Sequence, residues 1–403
     1  MTWETKAVRM PSASPYMSLA LRLARQGYGM TSPNPMVGAV LVRGSKIIGR
    51  GWHWRAGKPH AEIEALRDAQ QRGHTAKGTT LYVTLEPCCT HGRTPPCTEA
   101  IITAGIKRVV AGATDPNPQH SGRGFRILRR SGLDVTHGVM AAECERLNEA
   151  FNHWIVRRTP FVTVKVAMTL DGKIATAAGE SKWITTAKAR AWGMKLRRGT
   201  DAILVGINTV LADDPSLTFR GQKPVVRGPC SVFRGPTPRR IVLDTQARIP
   251  LSAQVLNDEC AGLTTVVVGT LASRTRVAAL AKRVNVLVAP LVKPGPQARA
   301  GTTPLRERLA IDLRWLLRRL GSEDIISLLV EGGGEVNASF LLQGLVQRIV
   351  FFYAPRVLGG RNSRPGVAGE GARGLDEVLN LSEVEWRRLG PDLMLGARVE
   401  PSV

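Results

Sequence analysis

The chain has 403 residues, 43% of them hydrophobic, which is enough to bury cores without covalent staples and predicts two or three domains. Disulfide frameworks belong to small secreted scaffolds. The opening stretch MTWETKAVRMPSASP lacks the apolar core of a signal peptide, and no apolar run approaches the ~20 residues of a membrane span, so a cytoplasmic chain is expected.

The formal charge of +24 raises nucleic-acid binding, because clustered Lys and Arg neutralise phosphates. The basic residues are instead spread along the chain, mostly as pairs such as Arg129-Arg130, Arg197-Arg198 and Arg318-Arg319, without an aromatic-interleaved stripe. Nucleic acid is therefore not the expected partner, and the same charge suits small anionic substrates such as phosphate esters.

Taken in chain order, apolar residues at helical spacing (Met17, Leu21, Ala24) predict a helix over 16–25, ended by Gln26-Gly27. MVGAVLVRGSKIIGRGWH reads as two strands joined by a turn containing Gly-Ser. A helix follows over 60–72 with Ile63, Leu66 and Ala69 on one face. TTLYVTLEP is the next strand, TPPCTEAIITAG a Pro-initiated helix ending at Gly105, and IKRVVAGATD another strand. This alternation predicts an α/β layered domain whose sheet is of mixed direction because of the hairpin.

A helix over 144–156 leads to Arg157-Arg158-Thr159-Pro160, which reads as a junction. The predicted division is an extension over 1–15, a first domain over 16–157 and a second over 158–403. The second opens with FVTVKVAM and continues with strands at AILVG, RRIVLD, TTVVVG, VNVLVA, IISLLVEG and RIVFFYAP. GQKPVVRGPCSVFRGPTPR and APLVKPGPQARAGTTP interrupt it as loops or insertions rich in Pro, Gly and Arg. All seven histidines precede the junction, so whatever the second domain catalyses, it does without imidazole.

Three of the six cysteines and one histidine crowd into EPCCTHGRTPPC, residues 86–97. In a reducing compartment such clustering points to metal or catalysis. His60 at a helix start, with Cys88 and Cys97 flanking the next helix, offers one nitrogen and two sulfurs. Zinc favours that set in a tetrahedron, and three protein ligands leave a position for water. Glu62, two residues after His60, does not share its helix face and is a poor co-ligand, but suits a proton shuttle for that water. His-Ala-Glu followed by Pro-Cys matches most of the zinc nucleobase deaminase signature, with eight residues between the cysteines instead of two. Of the adjacent pair Cys88 and Cys89 only one is expected to bind. Cys97 follows Pro95-Pro96 at a helix start that stabilises a thiolate, so Cys88 and Cys97 are chosen and Cys89 is a bystander.

PHAEIEAL, TLYVTLEPC and HGRTPPC, with SPNPMVGAVLV upstream and ATDPNP downstream, resemble the deaminase half of the bifunctional riboflavin-biosynthesis deaminase-reductases. The resemblance implies a cytidine-deaminase-like three-layer domain with His60, Cys88 and Cys97 on zinc. It also implies substrate contacts from Asn34, His53 and His91, the last with Arg93. AMTLDGKIA, GESKWIT, NTVLADDPSLTFR, IVLD and VEGGG with APRVLGG resemble the reductase half, which has a dihydrofolate-reductase-like fold and uses NADPH.

For that half the resemblance implies NADPH contacts from Ala167, Trp183, Thr209, Asp213 and Gly333, and substrate contacts from Ser181, Arg197, Leu217, Arg220 and Glu331. Arg197 and Arg220 make sense as phosphate partners, since a guanidinium binds phosphate oxygens in pairs. Three glycines precede the helix start at VEGGGEVN, but Asn337 stands where a dinucleotide fingerprint needs its third glycine, so a Rossmann unit is not indicated. Lys165 alternates with apolar neighbours and is a further candidate for substrate contact, whereas Asp171-Gly172 reads as a tight turn.

The implied chemistry is hydrolytic deamination of a diaminopyrimidinone phosphoribosylamine, followed by NADPH-dependent reduction of its ribosyl group to ribityl, in a homo-oligomer. The alternative is a zinc deaminase acting on nucleic-acid bases. The chain departs from the family pattern in its N-terminal extension, in the two insertions and at Arg356.

Overall fold

The structure is a computed structural model that describes residues 14–91, 95–219, 237–293 and 309–400. Contacts within the chain divide it into two compact units, 1–157 and 158–403.

In the first unit, helix α1 (Pro15–Ala24) starts at Ser14, whose hydroxyl accepts the Met17 N–H, with Pro15 at the first helical position. Strands β1 (Gly38–Arg43) and β2 (Lys46–Trp52) form the expected hairpin. Then come α2 (Ala61–Gln71), β3 (Thr80–Leu85), α3 (Cys97–Thr103), β4 (Arg108–Ala113), α4 (Arg123–Arg130), β5 (Asp134–Thr136), α5 (Ala141–Leu147) and α6 (Glu149–Arg157).

The sheet order is β2-β1-β3-β4-β5, antiparallel at β2-β1-β3 and parallel beyond. Leu41, Leu81, Val83 and Val109 pack on one face against Ala61, Ala65, Ile101 and Phe125. Val40, Val42 and Val110 pack on the other against Met17, Leu21 and Cys144. The result is three layers, as expected.

Two glycines fix the height of α2 over the sheet. A Cβ on Gly49 would lie 2.3 Å from the Ala65 carbonyl oxygen, and one on Gly51 2.3 Å from that of Ala61. Backbone therefore meets backbone, and the helix start at His60 is held close to the strand ends.

The helix expected over 144–156 is two helices. Asn148 is buried between them, its Oδ1 accepting the Met36 N–H at 2.8 Å while its Nδ2 donates to the Met36 carbonyl at 2.9 Å. Those bonds draw it out of helical register. The reading over 16–157 also missed α4, in which four arginines mask the buried Phe125 and Leu128.

The second unit contains β6 (Phe161–Thr169), β7 (Lys173–Ala175), α7 (Ala187–Arg198), β8 (Ala202–Gly206), α8 (Ile207–Asp213), β9 (Arg239–Leu243), α9 (Gln254–Asn257), β10 (Thr264–Gly269), α10 (Arg274–Ala281) and β11 (Asn285–Ala289). It continues with β12 (Leu291–Val292), β13 (Ala310–Ile311), α11 (Leu313–Gly321), β14 (Ser327–Val330), α12 (Gly334–Leu342), β15 (Arg348–Ala354), β16 (Arg364–Pro365), β17 (Leu381–Leu389) and β18 (Asp392–Val399).

Its main sheet runs β11-β10-β9-β8-β14-β6-β15-β18-β17, parallel from β11 to β15 and antiparallel at β15-β18-β17. All seven strands read from the sequence are present. They are near-continuous apolar runs because helices cover both faces of a parallel sheet. The closing β17-β18 hairpin was not anticipated: LSEVEWRRL is charged and exposed along most of its length. Most of the two interrupting stretches falls at 220–236 and 294–308, outside the described residues.

Candidate active sites

In the first unit His60 is the residue before the first turn of α2, Cys88 follows the end of β3, and Cys97 opens α3. Their ligand atoms lie within 4.8 Å of one another. His60 Nδ1 is 3.3 Å from Cys97 Sγ and 3.5 Å from Cys88 Sγ, and the Cys97 N–H donates to Cys88 Sγ at 3.3 Å. Hydrogen bonds from the Cys97 thiol and His60 pull the Cys88 thiol down to about 4. The same bond, with burial, pushes the Cys97 thiol up. The hydrogen bond to Cys88 also raises His60. One nitrogen and two sulfurs, already poised around a thiolate, fit a zinc ion. Cys89 stands apart, 3.9 Å from His120 Nδ1.

Glu62 lies in the first turn of α2 and is only 3% exposed. Burial, reinforced by the negative charge of Cys88, pushes its carboxyl up to about 7. Asn34 and His53 share a cavity of about 230 Å³ with His60, Glu62 and Cys88. His53 Nδ1 is 3.0 Å from the Pro59 carbonyl and Nε2 is 3.1 Å from Asn34 Nδ2. That pattern assigns the proton to Nδ1, and burial lowers the ring's pKa, which keeps it neutral. His91 is not brought to this cavity: it is exposed and lies 3.8 Å from Glu99. Arg93 falls outside the described residues.

The cavity is also lined by Asp115, Asn117, His120 and Phe151, none of which was among the site residues expected from the sequence. Burial raises the Asp115 carboxyl. The sequence signal for this wall was ATDPNP, which carried part of the resemblance without an assigned residue. Glu86 holds the wall in place. Its carboxylate accepts the N–H groups of Asp115 (3.1 Å), Gly122 (2.9 Å), Gly124 (2.8 Å) and Phe125 (3.4 Å).

In the second unit a cavity of about 1310 Å³ is lined by Ala167, Ser181, Trp183, Arg197, Thr209, Asp213, Leu217, Glu331 and Gly333, which brings together nine of the ten residues expected there. The tenth, Arg220, falls outside the described residues. Lys165 lines it as well. Arg197 is held by Glu331 through two hydrogen bonds, and its Nη1 donates to the Thr218 carbonyl at 3.1 Å. Burial opposes ionisation of Glu331, but the charges of Lys165 and Arg197 outweigh it and hold the carboxyl at about 2. Ser181 donates to Asp213 at 3.0 Å.

Trp183 is 65% exposed, with the Arg190 guanidinium 4.6 Å from its ring centre and the Arg356 guanidinium donating to its carbonyl at 3.1 Å. Arg356, an outlier in the sequence, thus braces a cavity residue. Asp171 accepts from Thr169, Leu358 and Gly359 and ties two loops together, in keeping with a turn residue.

The glycine run between β14 and α12 leaves the cavity floor open. A Cβ on Gly333 would meet only Thr209 Oγ1 at 3.9 Å, whereas one on Gly334 would lie 2.4 Å from the Pro365 carbonyl. A bare backbone facing a cavity of this volume fits a dinucleotide. Thr245, two residues beyond β9, and Asn208, in the first turn of α8, line the same space and were not singled out, although Asn208 opens NTVLADDPSLTFR.

Residues 10–113 match the model of the cytidine and deoxycytidylate deaminase zinc-binding region, and residues 160–395 that of the RibD C-terminal domain. The chain is 43% identical over 380 residues to riboflavin biosynthesis protein RibD of Aquifex aeolicus, covering 94% of this chain and 96% of that one. It is 39% identical over 386 residues to the Escherichia coli protein of the same name, covering 94% and 97%.

Among solved structures, form 1 of Acinetobacter baumannii RibD aligns with a TM-score of 0.78 at 33% identity, covering 96% of this chain and 98% of that one. The Thermotoga maritima diaminohydroxyphosphoribosylaminopyrimidine deaminase/5-amino-6-(5-phosphoribosylamino)uracil reductase aligns with a TM-score of 0.75 at 33% identity over the same shares. Identity spread over nearly the full length of both partners leaves neither unit unaccounted for, and the chain belongs to the RibD family of riboflavin-biosynthesis deaminase-reductases.

Proposed function

We propose that the first unit hydrolytically deaminates a diaminopyrimidinone phosphoribosylamine, and that the second reduces the ribosyl group of the product to ribityl with NADPH. The observation that carries this reading is buried Glu62 beside the His60, Cys88 and Cys97 cluster, in a chain with 33% identity to a Thermotoga protein titled for both activities.

His60, Cys88 and Cys97 would hold zinc, which when bound supplies an acidified water. Glu62, with its carboxyl near 7, is matched to take a proton from that water and give it to the departing amine. Asn34, its amide nitrogen committed to neutral His53, has its oxygen left to accept a ring N–H.

In the second unit NADPH, when bound, supplies the hydride. Lys165 and Arg197 offer positive charge to the substrate phosphate or sugar. Glu331 fixes the Arg197 guanidinium, and Gly333 admits the cofactor backbone closely. Positioning rather than an acid-base pair carries this step, so the lack of histidine there is no obstacle.

Mass spectrometry of the full chain acting on the diaminopyrimidinone phosphoribosylamine tests the reading. Exchange of an amino for a hydroxyl group without NADPH, then gain of two hydrogens only with it, supports both activities and their order. No turnover by zinc-loaded protein overturns it.

A homo-oligomer in the cytoplasm belongs to the same reading. Trp386 (60% exposed), Val384 (48%) and Leu393 (40%) on the β17-β18 hairpin at the sheet edge support self-association. Among the described residues no helix is long and apolar enough to cross a membrane. Light scattering that returns the monomer mass for the wild type, or the same oligomer for Trp386→Lys, removes that surface from consideration; recovery in the membrane fraction removes the compartment.

A further inference from the structure

Arg240, in β9, is the largest fully buried side chain among the described residues. Its Nη1 and Nη2 donate to Asp258 Oδ2 and Oδ1 at 2.6 and 2.8 Å. Nη2 also donates to the Val255 carbonyl at 3.0 Å, and Nη1 to the Ser216 carbonyl at 2.9 Å. Nε has no partner among the described residues. A buried ion pair is weak evidence for stability, because apolar side chains often fill the same space as well or better. What they would not supply is the bond to Ser216.

Ser216 belongs to the turn 214–218 that follows α8. Asp214, Pro215, Ser216 and Leu217 line the large cavity of the second unit, whereas Arg240 does not. Two of these residues take left-handed backbone without being glycine, Asp214 at φ 39° and Leu217 at φ 49°. Such backbone persists only where its surroundings over-determine it. Here Asp214 Oδ1 accepts the Gln254 N–H at 2.8 Å, Arg240 holds the Ser216 carbonyl, and Arg197 Nη1 holds the Thr218 carbonyl at 3.1 Å. Two arginines thus grip the carbonyls on either side of Leu217. The Leu217 side chain is buried in the core that contains Ile203, Val205 and Ile249. Its main chain, whose N–H and carbonyl have no protein partner among the described residues, is what it offers a ligand.

We infer that Arg240 is a positioning residue for the reduction: from behind the cavity wall it fixes the Ser216 carbonyl and, opposite Arg197, sets the Leu217 backbone against the pyrimidine substrate. It touches neither substrate nor cofactor. The kinetic consequence rests on the reduction reading above; the hold on the turn does not.

Two full-length variants separate the Ser216 bond from the ion pair. Arg240→Met with Asp258→Leu replaces the pair by apolar side chains and removes the bond, whereas Asp258→Asn weakens the pair and keeps it. KM for the deaminated substrate is expected to rise about tenfold in the double variant and to stay within about twofold of the wild type in Asp258→Asn. In both, kcat should stay within about threefold, because a contact made equally in ground and transition states acts on KM. Amide hydrogen exchange over 214–218 should quicken in the double variant alone. Cooperative thermal unfolding of the second unit checks that each variant folds. Arg240→Lys, whose single ammonium can face Asp258 but not all three acceptors at once, takes the place of a double variant that does not fold. An equal KM rise in both variants makes the pair merely structural and overturns the inference, as does wild-type KM with unchanged exchange in the double variant. A wild type that reduces nothing with NADPH overturns the reduction reading instead, and the exchange measurement still decides whether Arg240 holds the turn.

Discussion

Arg197 and Glu331, 134 residues apart in sequence, meet as a two-pronged ion pair: Nε donates to Oε1 at 3.1 Å and Nη2 to Oε2 at 2.6 Å. One residue sits at the end of α7 and the other just beyond β14, so the pair ties a helix to the strand end that floors the cavity. A carboxylate this deeply buried is tolerated only because Lys165 and Arg197 face it.

Glu331→Gln removes the anion and leaves two cations facing each other, and is expected to destabilise the second unit by about 3 kcal/mol. The folded carboxyl sits at about 2, below its ordinary 4.5, so its contribution is fully present above about 4.5 and is lost as pH falls towards 2. Thermal unfolding from neutral pH to pH 3 checks the sign: the wild type should lose stability more steeply than the variant. Reduction should fall at least tenfold, with deamination retained. Parallel pH profiles for the two proteins would refute the pairing as an acid-sensitive element.

The cysteine cluster separates ligands from a neighbour. Cys88→Ala and Cys97→Ala are each expected to abolish stoichiometric zinc and deamination while reduction of pre-deaminated substrate continues. Cys89→Ser should keep both, because its sulfur lies towards His120 rather than among the ligand atoms. Zinc analysis by mass spectrometry on the three variants decides it. Loss of metal in Cys89→Ser, with metal retained in Cys88→Ala, would reverse the choice.

Glu62→Gln keeps the volume and the buried position of the side chain but cannot take a proton. Zinc content should match the wild type, and the deamination rate should drop by about 10²- to 10⁴-fold, the usual contribution of a positioned acid-base group. Zinc retained with near-normal deamination would remove Glu62 from the proton path; loss of zinc would make it a ligand or a support for one.

How much of this was legible depended on where each signal resides. Strands such as AILVG and TTVVVG carry unbroken apolar runs because they are buried on both faces, so composition alone reveals them. His60, Glu62, Cys88 and Cys97 are legible because demanding residue types recur at helix and strand ends. The β17-β18 hairpin was hidden because one strand is exposed and charged, which removes the alternation a reader counts. The pairing of Arg197 with Glu331 and the wall formed by Asp115, Asn117 and His120 are products of tertiary folding. Nothing local in AWGMKLRRG says which of its arginines faces a carboxylate.

Glu86 shows the same limit from the stability side. At the end of a strand in TLEPC a glutamate reads as an ordinary polar stop, yet it is 5% exposed and gathers four backbone N–H groups from residues 115–125. Those groups belong to the segment that carries Asp115, Asn117 and His120 into the deaminase cavity, and that segment makes few strands or helices that would hold it otherwise. Gly124 is close enough to the Pro87 carbonyl, 2.3 Å from where its Cβ would stand, that the segment has one way to dock. In Glu86→Gln the side-chain NH₂ replaces an acceptor that served two N–H groups, so about two bonds are lost and a donor faces donors. The expected cost is about 2–4 kcal/mol in the first unit. Because Glu86 does not bear on Glu62 or the ligand sulfurs directly, zinc content should persist and KM for the deamination should rise more than kcat falls. Amide hydrogen exchange over residues 115–125 provides the decisive reading: faster exchange there, with unchanged protection in β1 and β3, identifies Glu86 as the anchor of that wall, whereas unchanged exchange across the segment would mean that the wall stands without it.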